Sequence, residues 1–450
     1  MVRPSGLSAV LAGLLDRSLA SARSTWLLAF LSCAMVYAAT AHWYGITNID
    51  TVGAAWPGWE LVHHGRFWLE AEPHLPSIPW FEMHGGHLVS NRMAGVVLVG
   101  VPAQVALAGF DLSPVTPAIL TAVVVSAAAM ANLVVLLRRQ GAEARTALAA
   151  AAAVALGTGM WSNAAAELWA HGPDALWLTL TMLALQRDRL WLAGLALSPA
   201  LWTRPHLALV AAAIGVWLAV SSRSLAPALK IGIPTGAALG GLVLWNRWLF
   251  GSTSIGGAYE GHTGALAATG SSGLRDFADS AAGSLFSPLH GALVYSPFLV
   301  VGLAAMVVGL RDCPSWMRAC AAGGLGYQIV QWKVSGFTGG TGLYSYRLPL
   351  EVIVLCIPAA VLGYQRLRAG RGWVRWVTRS CIGVSIAVHV IGVFWYRPLI
   401  DGEQVLDPWR TWGTGIAFGS RGSAGTVVAA VTCTLVMALA LVRLPRRQPN

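Results

Sequence analysis

Long apolar runs separated by short basic loops set the pattern of this 450-residue chain. The runs fall at 24–42, 115–137, 146–161, 173–186, 190–202, 207–220, 226–250, 292–310, 319–332, 348–364, 376–395 and 426–442. Many approach the roughly 20 residues that a helix needs to cross a bilayer. Basic patches lie between them: RRQGAEAR (138–145), QRDR (186–189), SSRS (221–224), RDCPSWMR (311–318), QRLRAGRGWVR (365–375) and RLPRRQ (443–448). With every patch on the cytoplasmic side the runs alternate without conflict. The pattern predicts an all-α polytopic membrane protein, a single integral-membrane domain over residues 1–450. It has about twelve transmembrane helices (eleven to thirteen) and both termini cytoplasmic.

Two segments fall outside this alternation. Residues 1–23 carry Arg3, Arg17 and Arg23 around a weak apolar stretch and read as a cytoplasmic amphipathic lead-in. Residues 93–110 are apolar and long enough to cross, but a full crossing would invert every later basic loop. Pro102 and Gln104 inside that stretch favour a juxtamembrane or re-entrant helix on the external side. The external loops are then 43–113, 161–174, 203–206, 251–291, 333–347 and 396–424.

Composition agrees with this picture. The chain is 56% hydrophobic and 11% charged, with a mean hydropathy of +0.61. The net charge of +11 is accounted for by arginine-rich cytoplasmic loops that set topology and touch anionic lipid, so no nucleic-acid partner is expected. The six cysteines are scattered without CxxC spacing, which predicts neither a disulfide framework nor a cysteine metal site. There is no nucleotide-binding loop and no internal repeat of the kind common in transporters.

Against this sparse background, residues 47–92 stand out. They hold Asp50, Glu60, Glu70, Glu72 and Glu82, with Asp111 just beyond, and His63, His64, His74, His84 and His87. A first external loop so rich in acids and imidazoles points to chemistry at the membrane surface. Asp50 could serve as general base for an acceptor hydroxyl, or as a helix N-cap with Thr51. Glu82, His84 and His87 are candidate ligands for a divalent metal, though Gly85 and Gly86 make the segment a turn and a polar loop is the alternative. His171 and Asp174 open a span, where capping is the default role, but both could line the same cavity as Asp50. Arg347 follows the Gly-rich GFTGGTGL and is flanked by Tyr344 and Tyr346. A guanidinium at that depth is costly unless it pairs or binds an anion, and it suits a phosphate; a snorkelling arginine is the alternative. The Gly/Ser-rich loop 251–291 contributes Tyr259, Glu260, His262 and His290.

In their order along nearly the whole chain, several stretches resemble the GT-C superfamily of polyprenyl-phosphate-sugar-dependent glycosyltransferases, near the bacterial protein mannosyltransferases and aminoarabinose transferases. They are Asp50 after the first span, SNRMAGVVLVGVP, WAHGPD, LWNRWLFGS, SLFSPLHGALVYSPFLV and GFTGGTGLYSYRLPLEV. His290 stands where many bacterial members carry an Arg, and the YGPR-like element reads YSYR, keeping Arg347. The resemblance implies a multi-pass enzyme of the plasma (inner) membrane that moves a sugar from a polyprenyl-phosphate donor to an acceptor hydroxyl with inversion. Asp50 would be the base, helped by Glu82 or Asp174; Arg347 with Tyr344 and Tyr346 would hold the donor phosphate. His171, Tyr259, Glu260, His262 and His290 are the candidates for sugar or acceptor, and the acceptor would be a glycan, a lipid or a protein. A flippase for a lipid-linked sugar and a non-catalytic partner in glycan assembly are the rival readings.

Overall fold

The computed structural model describes residues 21–41, 43, 49–69, 80–257, 273–337 and 343–394. Helices stand at the first eleven expected positions among them. They are α1 (Ala22–Thr40), α4 (Val115–Arg139), α5 (Ala144–Leu156), α6 (His171–Leu185), α7 (Leu190–Thr203), α8 (Ala208–Ser222), α9 (Ala226–Phe250), the pair α11 (Ala292–Tyr295) and α12 (Phe298–Leu310), α13 (Ser315–Val334), α14 (Leu350–Leu367) and α15 (Gly372–Phe394). The first loop adds α2 (Ile49–His64) and α3 (Ala94–Leu107), and α10 (Leu274–Phe286) precedes α11. The expected run 426–442, most of the lead-in 1–23, and Tyr259, Glu260 and His262 lie outside the described residues.

Among the described residues six helical segments are long and apolar enough to cross a membrane: Ala22–Thr40, Val115–Arg139, Pro205–Ser222, Ala226–Phe250, Leu350–Leu367 and Gly372–Phe394. Four apolar helices are shorter, α3 among them. With 14 residues α3 is about 21 Å long, well below the roughly 30 Å of a hydrocarbon core. It packs on α2, α4 and α7. Its Gln104 is buried and donates to the carbonyls of Pro114 (2.8 Å) and Ala55 (3.4 Å), tying the helix to its neighbours rather than to lipid.

The core is built around α4, which is apolar on nearly every face and buried along most of its length. A helix of this kind belongs inside a bundle. It touches α1, α2, α3, α5 and α6. From there the bundle continues from α6 to α7 and α14, from α7 to α9, from α8 to α9 and α13, and from α12 to α14.

Two features depart from the all-helical expectation. Residues 81–90 form an antiparallel hairpin, β1 (Phe81–His84) and β2 (His87–Ser90), in the register Phe81↔Ser90 to His84↔His87. Gly85 and Gly86 have φ of +56° and +85°, the double left-handed turn that a two-residue hairpin loop requires. Phe81 and Leu88 pack with Val52 and Leu69, sealing the hairpin onto the first turns of α2. The run 292–310 is broken, not continuous. Pro297 lacks an N–H, and Ser296 before it leaves the helical region at φ −132°, ψ 68°. The break turns the Ser296 hydroxyl into the bundle, where it matters below.

Helices α12 and α14 approach closely through glycines. A Cβ on Gly363 would enter the shell of the Ala305 carbonyl oxygen, and one on Gly309 that of the Ala359 carbonyl. Such contacts carry helix association where lipid supplies no hydrophobic drive. Gly363→Ala is therefore expected to destabilise the purified chain by about 1–3 kcal/mol, as overpacking does. An unchanged midpoint of thermal unfolding in detergent would contradict this packing.

Candidate functional site

Three segments converge on Asp50. It lies in the first turn of α2, a helix outside the spans. Arg92 lies two residues beyond the end of β2, and Ser90 fixes its approach: the Ser90 hydroxyl donates to the Gly53 carbonyl (2.6 Å) and accepts from the Arg92 N–H (3.2 Å). Gly53 leaves room for the arginine stem, because a Cβ there would lie 2.7 Å from Arg92 Cγ. Arg92 Nη1 meets Asp50 Oδ1 at 3.1 Å, and Arg347 Nη1 donates to Asp50 Oδ2 at 3.0 Å. Each guanidinium also lies over an indole, Arg92 on Trp80 at 3.8 Å and Arg347 on Trp169 at 4.1 Å. Burial pushes the Asp50 pKa up, but Arg92 and Arg347 outweigh it and hold the carboxyl below its usual range. Burial likewise pulls the Arg347 pKa down, with Asp50 opposing.

A second carboxyl adjoins this group and was not singled out from sequence. Glu167 Oε2 accepts from the hydroxyl of Thr51, the residue after Asp50, at 2.7 Å and from the Trp169 indole at 3.3 Å. Burial lifts its pKa from 4.5 to about 7, against the pull of those two hydrogen bonds. A carboxyl that titrates near neutrality can give or take a proton. Its signal in the sequence was an acid inside the otherwise apolar AAAELWA between two helices.

The segment 343–347 that carries Arg347 is held from beneath. The Tyr344 hydroxyl donates to the Val388 carbonyl at 2.7 Å. Tyr346 and Ser296 share a hydroxyl–hydroxyl bond of 2.7 Å, and Ser296 donates onward to the Gly157 carbonyl at 2.6 Å. Asn163, in the π-helical turn Met160–Ala164, donates to the carbonyls of Tyr344 (2.7 Å) and Tyr346 (3.1 Å). His290 donates from Nδ1 to the Ser345 carbonyl at 2.8 Å. Burial keeps the His290 pKa low, so it acts as a neutral donor. Ser345 sits at φ +65°, a strained non-glycine conformation that this network over-determines. Tyr344, Tyr346 and His290, expected at phosphate or sugar, thus hold the backbone that presents Arg347.

His171 and Asp174 come together in an adjacent buried cluster. His171 Nδ1 bonds Glu351 Oε1 at 2.7 Å, and Arg204 Nη2 donates to His171 Nε2 at 2.9 Å, which fixes the tautomer. Thr203 donates to Asp174, and Arg204 lies 3.7 Å from Asp174 and 3.8 Å from Glu351. Arg204 also donates to the Tyr327 hydroxyl at 2.7 Å. Glu351 is four residues beyond Arg347, so the segment 343–351 joins the two clusters.

Glu82 lies on the hairpin, where it pairs with His84 at 3.3 Å and accepts from Asn91 at 3.4 Å. His87 stacks on Trp68 at 4.7 Å, and His84 meets Phe250 edge-on at 5.4 Å. Among the described residues no three His, Cys, Asp or Glu side chains gather in a way that could hold a metal ion.

No family model and no curated protein sequence matches the chain. Among solved structures it is similar to the oligosaccharyltransferase of Archaeoglobus fulgidus in complex with Zn and sulfate, at 11% identity and a TM-score of 0.47, over 94% of this chain and 58% of that one. It is also similar to the archaeal oligosaccharyltransferase AglB from Archaeoglobus fulgidus in complex with an inhibitory peptide and a dolichol-phosphate, at 11% identity and a TM-score of 0.44, over 94% of this chain and 56% of that one. The chain thus spans little more than half the length of these structures.

The pH behaviour of Glu167 tests the site's electrostatics. Its folded pKa lies above the unfolded value, so the folded state binds more protons between pH 4.5 and about 7. Stability contributed by the protonated form is complete below 4.5 and declines as pH rises through that window. Glu167→Gln is expected to flatten this decline in unfolding measurements from pH 4 to 8. A decline of unchanged slope in the variant would exclude Glu167 as its source.

Proposed function

We propose that the chain is a GT-C-type membrane glycosyltransferase that moves a sugar from a polyprenyl-phosphate donor to an acceptor hydroxyl on the external face, with inversion. The single observation that carries the reading is the Arg347–Asp50 contact. It joins the two residues that the family resemblance assigns to phosphate and base, although they are 297 positions apart. The position of Asp50 agrees with this, because α2 is not among the helical segments long and apolar enough to cross a membrane.

In this mechanism the donor phosphate sits against Arg347. The acceptor oxygen attacks the anomeric carbon from the face opposite the phosphate, and its proton passes to Asp50. The bond from the anomeric carbon to the phosphate oxygen breaks, and polyprenyl phosphate departs with its added negative charge next to the guanidinium. Glu167 lies beside Asp50 through Thr51 and can relay the proton onward. Glu82 and Asp174 act at one remove, Glu82 through Asn91 and the hairpin, Asp174 through Arg204 and Glu351. The expected metal set Glu82, His84 and His87 does not gather: His84 pairs with Glu82, and His87 turns to Trp68. The first loop is external in this reading, and both termini are cytoplasmic.

Incubation of the purified chain with a panel of radiolabelled polyprenyl-phosphate sugars tests the reading. Asp50→Asn keeps shape but cannot accept the proton, so turnover is expected to fall by about 10²–10⁴ while donor binding survives. Wild-type turnover in that variant would move the base to another acid. Arg347→Ala is expected to lose about 2–4 kcal/mol of transition-state stabilisation. An undiminished rate in the folded variant would remove Arg347 from the phosphate.

A further inference from the structure

We infer that Arg92 and Arg347 form a two-armed clamp for a phosphate group, and that Asp50 occupies this clamp as a displaceable internal anion. The inference rests on the proposed role of Arg347 and adds to it a second arm and a gate. The two guanidinium groups meet opposite oxygens of one carboxylate, at 3.1 and 3.0 Å. That is where an incoming anion with several oxygens would bridge them, and a planar guanidinium suits a phosphate better than an ammonium does. Each arm is backed by an indole, Trp80 on one side and Trp169 on the other, so neither can swing far. A second observation points to a ligand: Arg347 Nε is buried and has no hydrogen-bond partner. A phosphate oxygen seated against Arg347 would engage Nε together with an Nη, a pairing that the Asp50 contact to Nη1 does not make.

The triplet carries two positive charges and one negative charge, so one charge of an entering phosphate is balanced before Asp50 moves. Once the phosphate takes over one arm, Asp50 loses part of its counter-charge and becomes the stronger base. Proton acceptance would then be coupled to donor binding, and the acid would stay idle on an empty enzyme.

The test is equilibrium binding to the full chain in detergent, with inorganic phosphate as the free-anion probe and dodecyl phosphate as the lipid-borne one. Asp50→Asn removes the internal competitor and is expected to raise phosphate affinity roughly tenfold or more, the sign opposite to that of a damaged site. Arg92→Gln and Arg347→Gln are each expected to lower wild-type affinity roughly tenfold. The double variant Asp50→Asn/Arg92→Gln keeps one arm without an orphaned pair and is expected to bind roughly tenfold more weakly than Asp50→Asn. Equal or weaker binding by Asp50→Asn than by wild type would overturn the gate. Equal affinity of Asp50→Asn with and without Arg92 would overturn the clamp. A gain with dodecyl phosphate alone supports the clamp with a lipid-borne ligand, and a gain with both probes supports it with any phosphate. The readout needs no sugar transfer, so an intact clamp without transfer would sink the transferase reading alone.

Discussion

One carboxylate held between two arginines closes this molecule's first loop onto the segment at Arg347, 297 positions along the chain. Taking three charged groups largely out of water is expensive, and their attraction repays it only when the geometry is good and the remaining polar atoms are served. Here the contacts on the carboxylate are good, while Arg347 Nε is left unserved. Asp50 meets both guanidinium groups at hydrogen-bond distance, and an indole lies against each. The triplet requires three things at once: the first turn of α2, the strand exit at Arg92 and the loop at Arg347. If any one of them moves, a buried charge is left uncompensated.

The surrounding architecture reads as the means of meeting that requirement. The hairpin reverses the chain so that Arg92 returns to α2, and Ser90 pins the return. The π-helical turn at Met160–Ala164 and the break at Pro297 interrupt regular helices and so bring Asn163 and Ser296 under the Arg347 loop. Local irregularity in a helix bundle is tolerated where it lines a site, since freed backbone groups must find partners inside the protein. The His171–Glu351–Arg204 cluster then anchors the other end of that loop to α6 and α7.

Much of this was legible in the sequence, for reasons that also explain what was not. Apolar length and arginine-rich loops located the helices, because crossing a bilayer leaves little freedom in either. Arg347 stood out as a guanidinium at the mouth of a span, where an isolated ion is costly, and Asp50 as the first acid after the first span, where the resembling family places its base. Arg92 did not, because an arginine near an interface is common and its pairing depends on a hairpin whose Gly85–Gly86 turn was read only as a turn. Glu167 could not be connected to Thr51 across 116 positions without the fold. Tyr344 and Tyr346 misled through adjacency. The left-handed Ser345 between them and the bonds to Val388 and Ser296 turn both rings into the core, away from the ligand role that proximity to Arg347 suggested. The unbroken reading of 292–310 ignored what Pro297 does to the residue before it.

Whether the triplet is the closing bond of the fold is answered most directly by a double-mutant cycle on Asp50→Asn and Arg347→Gln, read as unfolding free energy in detergent. The two single losses should sum to more than the loss in the double variant, with a coupling of about 1–3 kcal/mol, because the second substitution removes a charge that the first has already left without its partner. Additivity within about 0.5 kcal/mol would mean that the two residues act independently, and the ion triplet would hold neither the loop nor the site together.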